Sequence, residues 1–399
     1  MKKASILTIV FFTVFLDLLG FGILIPLLPY VIKHFGASAF QGGLLMASYS
    51  IAQFLFAPVW GRLSDRIGRR PVILVSLAGS AAGYLLFAYA HSLAWLFASR
   101  LLSGAAAANI ATAQSIMADC LPPKERTKGM GLVGAAIGLG FTMGPAVAGI
   151  VGLEQHYSLP FLIAAALSGA DLLLALLLLP ETMIPNERNH SERRRFSLEI
   201  LKSALNVPFV PRLLTVSLFY YIAFASMEST LGFYVANVFG LTDRQNSALL
   251  FAIGAIIVFV QGGVVGRAAK RFGDRLMLSM GIGGVLLGLL CIGLAPTAAM
   301  LAAAAFLLAF SSGFVMPCMA SMLSQCSAQE VQGGILGLNQ SMASMGRILG
   351  PLMGTYLFDA WSPSTPFFLG SAFILVSLFL IFPIRSNSTN LVLENQEGN

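Results

Sequence analysis

Charge is scarce in this 399-residue chain: Asp, Glu, Lys and Arg make up 10%, against 57% hydrophobic residues. Soluble domains carry roughly 25% charge, so a water-facing globule is excluded and lipid is the solvent that suits this surface. Cysteine is scarce too. Four thiols provide no disulfide framework, and Cys318 and Cys326 lie too far apart along one helix to bond. The four histidines, His34, His91, His156 and His190, are scattered without metal-ligand spacing. A phosphate-binding Gly-Lys-Ser/Thr loop and a nucleophile elbow are both missing, which leaves direct ATP drive unsupported and catalysis unsignalled. No catalytic residue, metal site or cofactor is expected.

What the chain does have is apolar runs, each near the roughly 20 residues that span a bilayer as helix. Twelve are read: 5–32, 42–60, 71–90, 93–118, 129–152, 159–180, 212–239, 246–265, 276–295, 298–325, 332–358 and 366–384. The first is longer than the roughly 7–15 apolar residues of a signal sequence and reads as a retained helix. Alternate loops, counted from a cytoplasmic N-terminus, hold 20 of the 24 basic residues. The opposite loops hold only Lys33 and Arg244, while Arg100 and Arg347 fall inside spans. That bias places both termini in the cytoplasm. The net charge of +7 is therefore topological, and nucleic acid is not an expected partner.

The chain also repeats itself. Gly61-Arg62-Leu63-Ser64-Asp65-Arg66-Ile67-Gly68-Arg69-Arg70 returns 205 residues later as Gly266-Arg267-Ala268-Ala269-Lys270-Arg271-Phe272-Gly273-Asp274-Arg275. Each copy follows an apolar run, so two copies of one membrane module stand head to tail, the construction of secondary transporters. The expected organisation is an N-terminal six-helix bundle at 1–180, a cytoplasmic linker at 181–211, a C-terminal six-helix bundle at 212–385 and a cytoplasmic tail at 386–399. The linker reads equally as a solvated tether or as a short basic amphipathic helix on the membrane surface. A complete two-half unit is expected to work as a monomer.

Two motifs carry more than class. In the loop after span two, Gly61, Asp65, Arg66, Gly68, Arg69 and Arg70 read as a tight, basic gating turn. Asp65 is placed to meet a helix N-terminus or an arginine when the cytoplasmic side is closed. In span five, Gly131, Gly140, Gly144, Pro145 and Gly149 remove bulk for a close helix partner and supply a kink. Gly346, Gly350 and Pro351 echo this in span eleven. The loop resembles the signature of the major facilitator superfamily, and the span-five spacing resembles the motif of its antiporter branches. Leu16 to Ile23, Arg100 to Gly104, and Pro160-Phe161 through Leu179-Pro180-Glu181 are similar to tetracycline-efflux antiporters. Phe224 to Glu228 is similar to multidrug exporters of the same branch.

The resemblance implies an all-α integral membrane protein with twelve transmembrane helices in two pseudo-symmetric six-helix bundles, the major facilitator fold. It also implies proton-coupled antiport that exports small lipophilic or cationic compounds across the cytoplasmic membrane. The proton gradient drives this, and small molecule, protons and bilayer are the partners. One departure narrows the substrate. The tetracycline exporters carry acids in spans three and nine where this chain has Gly83 and Gly283, which argues against metal-chelated tetracycline.

Ionisable side chains in mid-span are functional by default, because burying charge in lipid is costly. Asp17 and Arg100 come to similar depth on spans one and four and are expected to meet. The pair serves either to load and release a proton or to fix helix packing. The resemblance implicates both in coupling. Glu228, with no arginine of matching depth in view, reads as a substrate or proton carboxylate, and Asp171 as a second candidate. Arg347 either pairs with an acid or snorkels outward. Tyr49, Gln53, Asn109, Gln114, Tyr221, Gln261, Asn339 and Arg347 are the candidate lining of a central cavity. Export of one endogenous metabolite or siderophore, a nutrient:proton symporter of the same fold, and a receptor without transport all remain open at this point.

Overall fold

The computed structural model describes residues 3–107, 109–121, 123–151, 157–182, 207, 209–325 and 332–382. The linker beyond Thr182, the tail, Cys326, His156 and His190 lie outside the described residues, as do the surroundings of Asn109 and Gly131. Everything described is helix or short turn. Among the described residues nine helices are long and apolar enough to cross a membrane, and Leu93–Ala106 and Thr365–Ile381 are shorter apolar helices.

The elements run α1 Lys3–His34, α2 Ala39–Ile67, α3 Arg69–Ala88, α4 Leu93–Ala106, α5 Asn109–Cys120, α6 Pro123–Val151 and α7 Ser158–Leu178. They continue as α8 Val210–Phe239, α9 Asp243–Phe259, a π-helical turn Val260–Val264, α10 Val265–Phe272, α11 Asp274–Gly293, α12 Ala298–Gln325, α13 Gln332–Ala360 and α14 Thr365–Ile381. Each of the twelve apolar runs falls mainly on helix within the described residues. Two were read too simply. Span four is two helices, broken at Ala107 (φ −71°, ψ 63°). The Ala105 carbonyl accepts the Trp60 indole N–H and the Ala106 carbonyl accepts the Ser76 hydroxyl. Side chains from α2 and α3 thus satisfy acceptors that a continuing helix would have used. Span eight widens into the π turn at Val260-Gln261-Gly262-Gly263-Val264, where two glycines ease the extra residue per turn.

The start of α2 follows capping chemistry. Ser38 precedes α2 in a complete capping box with Gln41, which ties two otherwise unpaired N–H groups.

Two compact units result. The first contains residues 1–193 and 235–254, the second residues 194–234 and 255–399. In the first, α1 lies against α6 on glycine. A Cβ on Gly140 would fall 2.7 Å from the Leu18 Cβ, and one on Gly144 only 2.6 Å from the Gly22 Cα. Apolar side chains such as Val10, Val14, Ile73, Leu77, Ile116 and Val133 fill the space beside this seam. In the second unit α8 meets α13 in the same way. A Cβ on Gly350 would fall 2.7 Å from the Ile222 carbonyl oxygen, and one on Gly354 3.1 Å from the Ser226 Cα. Without bulk on one helix the backbones approach closely, and dispersion replaces the hydrophobic drive that lipid cannot supply.

Candidate functional site

One face of α1 presents Thr13, Asp17 and Phe21 at four-residue intervals, the spacing that stacks side chains on one helix face. Asp17 is 4% exposed and Arg100, on α4, is wholly buried. The Arg100 guanidinium carbon stands 5.3 Å from the Tyr49 ring centre and 5.5 Å from that of Phe87, a cation–π arrangement with two walls. None of its three guanidinium nitrogens makes a hydrogen bond. Asp17 lies within electrostatic reach of it. The Tyr84 hydroxyl donates to the Asp17 carbonyl oxygen at 3.1 Å, and Phe21 packs on Tyr49 with ring centres 5.3 Å apart.

The expected meeting of Asp17 and Arg100 is thus electrostatic and framed by aromatic rings. Tyr84 and Phe87 were not anticipated. The only hint of them was their position on α3 at the depth of Asp17. Gln53 is half-buried one turn along α2 from Tyr49, while Gln114 is exposed.

Asp171 is buried as well, and its carboxylate accepts the Thr13 hydroxyl at 2.8 Å. That bond joins α7 to the α1 face that carries Asp17.

In the second unit Glu228 is half-buried on α8, and Arg347 on α13 acts on it electrostatically. This corrects the expectation that no arginine matches its depth. Residue counting from uncertain helix ends hid the match. Arg347 also reaches Tyr221 and donates to the Ser344 hydroxyl at 3.2 Å. Asn339 accepts the Ser217 hydroxyl at 2.6 Å, across α8 and α13. Gln261 sits in the π turn, a distortion often found at functional positions.

The basic segment expected to be a loop is helical as far as Ile67 and turns only at Gly68 before α3 starts at Arg69, because the apolar run's end does not end the helix; around that turn lies a network. Asp65 pairs with Arg69 four residues on, and Arg69 Nε reaches Asp119 at 3.1 Å. Both Glu181 oxygens accept N–H groups at the start of α3, from Arg69 at 2.9 Å and Arg70 at 3.2 Å. Gly68 has φ +110°, and a Cβ there would fall 2.6 Å from the Glu181 carboxyl carbon. Only glycine suits that site on both counts. Arg66 is exposed and makes no part of the network. Asp119 and Glu181 escaped sequence reasoning because their partners are 50 and 111–112 residues away.

The second copy preserves the frame with different chemistry. Arg70 Nη2 donates to the Leu176 carbonyl at 2.7 Å, and Arg275 Nη2 donates to that of Phe382 at 2.7 Å. Each arginine thereby serves the carboxyl end of the last helix of its half of the sequence, where cations are favoured. Asp274 stands where Arg69 stood, and accepts from Ser321 at 2.6 Å and Gln325 at 2.7 Å.

The sequence pattern of the Major Facilitator Superfamily matches residues 10–298 and again 262–397. The chain belongs to the Major Facilitator Superfamily. As a member it is a multi-pass membrane transporter of small molecules, not an enzyme. Its twelve-helix fold is that of the superfamily. It is 32% identical over 386 residues to the class C tetracycline resistance protein of Escherichia coli, covering 95% of this chain and 96% of that one. The crystal structure of the human organic anion transporter MFSD10 (TETRAN) superposes with a TM-score of 0.72 at 26% identity, covering 96% of this chain and all of that one. An inward-facing, occupied bacterial homologue of the lysosomal transporter Spinster gives a TM-score of 0.80 at 15% identity, covering 96% of this chain and 97% of that one. That last likeness concerns the fold of this facilitator alone.

Proposed function

We propose that this transporter is a proton-coupled antiporter exporting small lipophilic or cationic compounds from the cell, seated in the cytoplasmic membrane with both termini inside and working as a monomer. The observation that carries the reading is the Asp17–Arg100 cluster. A buried arginine that makes no hydrogen bond leaves Asp17 as its nearby countercharge. Small shifts in their separation then decide whether Asp17 holds a proton. Glu228, near Arg347, is the second coupling carboxylate, and Asp171, held by Thr13, an auxiliary one. Solute and proton compete for the deprotonated carboxylates. External protons discharge the cargo and neutralised carboxylates permit the return. The likeness to tetracycline resistance proteins supports drug efflux, while Gly83 and Gly283 argue against chelated tetracycline as cargo.

A second reading, export of an organic anion, is favoured by the relative named as an organic anion transporter. Everted vesicles carrying an imposed proton gradient separate the two. The first reading requires uphill uptake of a lipophilic cationic dye, abolished by a protonophore. Uptake of organic anions alone would favour the second.

A further inference from the structure

Two neighbouring residues of α3 are tied to the two helices that carry the Asp17–Arg100 pair. The Tyr84 hydroxyl donates to the main-chain carbonyl of Asp17 on α1 at 3.1 Å. The Gly83 carbonyl accepts the hydroxyl of Ser99, the residue before Arg100 on α4, at 2.7 Å. Tyr84 is 2% exposed and Ser99 is wholly buried. Glycine makes both approaches possible. A Cβ on Gly20 would overlap the Tyr84 hydroxyl, and Cβ atoms on Gly79 and Gly83 would overlap the Ala106 Cβ and the Ser103 hydroxyl. Tyr84 also stands within electrostatic reach of both Asp17 and Arg100.

Burying a hydroxyl costs free energy unless it is bonded, and phenylalanine would fill the same space without that cost. Here the hydroxyl is bonded to the backbone of the acid's own residue. Because α1 is helical through Asp17, this carbonyl already faces the N–H four residues on. The bond from Tyr84 is a second donor that the helix itself does not need. What it adds is a tie from α3 to the backbone that carries the Asp17 carboxylate. The Ser99 bond ties the same stretch of α3 to the backbone beside Arg100. The attraction between two charges varies inversely with their separation, so a brace reaching both backbones governs its strength.

We propose that Tyr84, together with the Ser99–Gly83 bond, is a positioning residue: it braces α1 and α4 on α3 and so sets the separation of the Asp17 carboxylate from the Arg100 guanidinium. In this role the phenol neither meets the solute nor exchanges a proton. Its consequence for transport rests on the antiport reading, whereas the brace itself does not.

Dicyclohexylcarbodiimide, which reacts with carboxyl groups in apolar surroundings through their protonated form, reads how firmly Arg100 holds the Asp17 carboxylate. The rate of modification at fixed pH is followed by mass spectrometry on the full chain in liposomes, with Asp171 as the internal control. Tyr84→Phe, which keeps the ring, and Ser99→Ala are each expected to raise the Asp17 rate roughly fivefold, the effect of losing one hydrogen bond of about 1 kcal/mol. The Asp171 rate should not change in either. An Asp17 rate unaltered in both variants would overturn the brace. So would an Asp171 rate raised as much as that of Asp17, which marks general loosening instead of positioning. Uphill dye uptake by the native protein, measured in parallel, separates the two claims. Faster Asp17 modification in the variants with no native uptake sinks the antiport reading and spares the brace, while native uptake with unaltered modification does the reverse.

Discussion

The Arg100 guanidinium carbon lies 5.3 Å from the centre of the Tyr49 ring, with Phe87 as a second wall at 5.5 Å. The cation is thus held by ring faces instead of by hydrogen bonds. A planar guanidinium suits such a slot, and a compact ammonium suits it poorly.

Arg100→Lys is therefore expected to cut uphill transport at least tenfold although charge is conserved. Tyr49→Phe, which keeps the ring face, should stay within about threefold of the native rate, since an exposed-to-buried cation–π contact is worth roughly 0.5–2 kcal/mol and survives that change. Initial rates in everted vesicles decide it.

Thr13 and Asp171 give a second contrast. Asp171→Asn can still accept the Thr13 hydroxyl and should reduce uphill transport far less than Asp17→Asn does. Thr13→Val removes the donor and leaves a buried carboxyl without it, so a loss of about 1–3 kcal/mol in thermal stability is expected. A fluorescence melt of the detergent-solubilised protein reads this directly.

Packing of α1 on α6 leaves no room at Gly144. Gly144→Ala would bring a methyl to 2.6 Å from the Gly22 Cα, and overpacking of this kind costs about 1–3 kcal/mol. Gly134→Ala, on the same helix with nothing within 4 Å of the added atom, should be neutral or stabilising. The pair of melting temperatures tests the seam.

At the basic loop, Glu181→Ala strips both acceptors from the first N–H groups of α3. A lost cap of this sort costs about 0.5–2 kcal/mol. Gly68→Ala is expected to be worse than Glu181→Ala, because it combines a left-handed backbone with a collision. Protease sensitivity of the loop in inside-out vesicles would rank the two.

Much of the fold was written in hydropathy. Apolar runs bounded by Arg62–Arg70 or Arg267–Arg275 locate the helices, since lipid demands satisfied backbone along its whole thickness, but the helices run on seven residues past the expected ends at 60 and 265, to Ile67 and Phe272. The break at Ala107 was not legible. Ala105 to Ala108 is a run of the strongest helix former, and its interruption is answered by Trp60 and Ser76, 45 and 30 residues earlier. Long-range partners hid the rest. Asp17 and Arg100 could be paired by depth, whereas Asp119 and Glu181 depend on helix rotation, which depth does not report, and the approach of Arg347 to Glu228 was hidden by uncertain helix ends.

The most direct test of coupling is Asp17→Asn in reconstituted vesicles, scored for uphill dye transport under an imposed proton gradient and for downhill exchange without one. The account predicts that uphill transport is lost while exchange persists. Uphill transport at the native rate in that variant would contradict it.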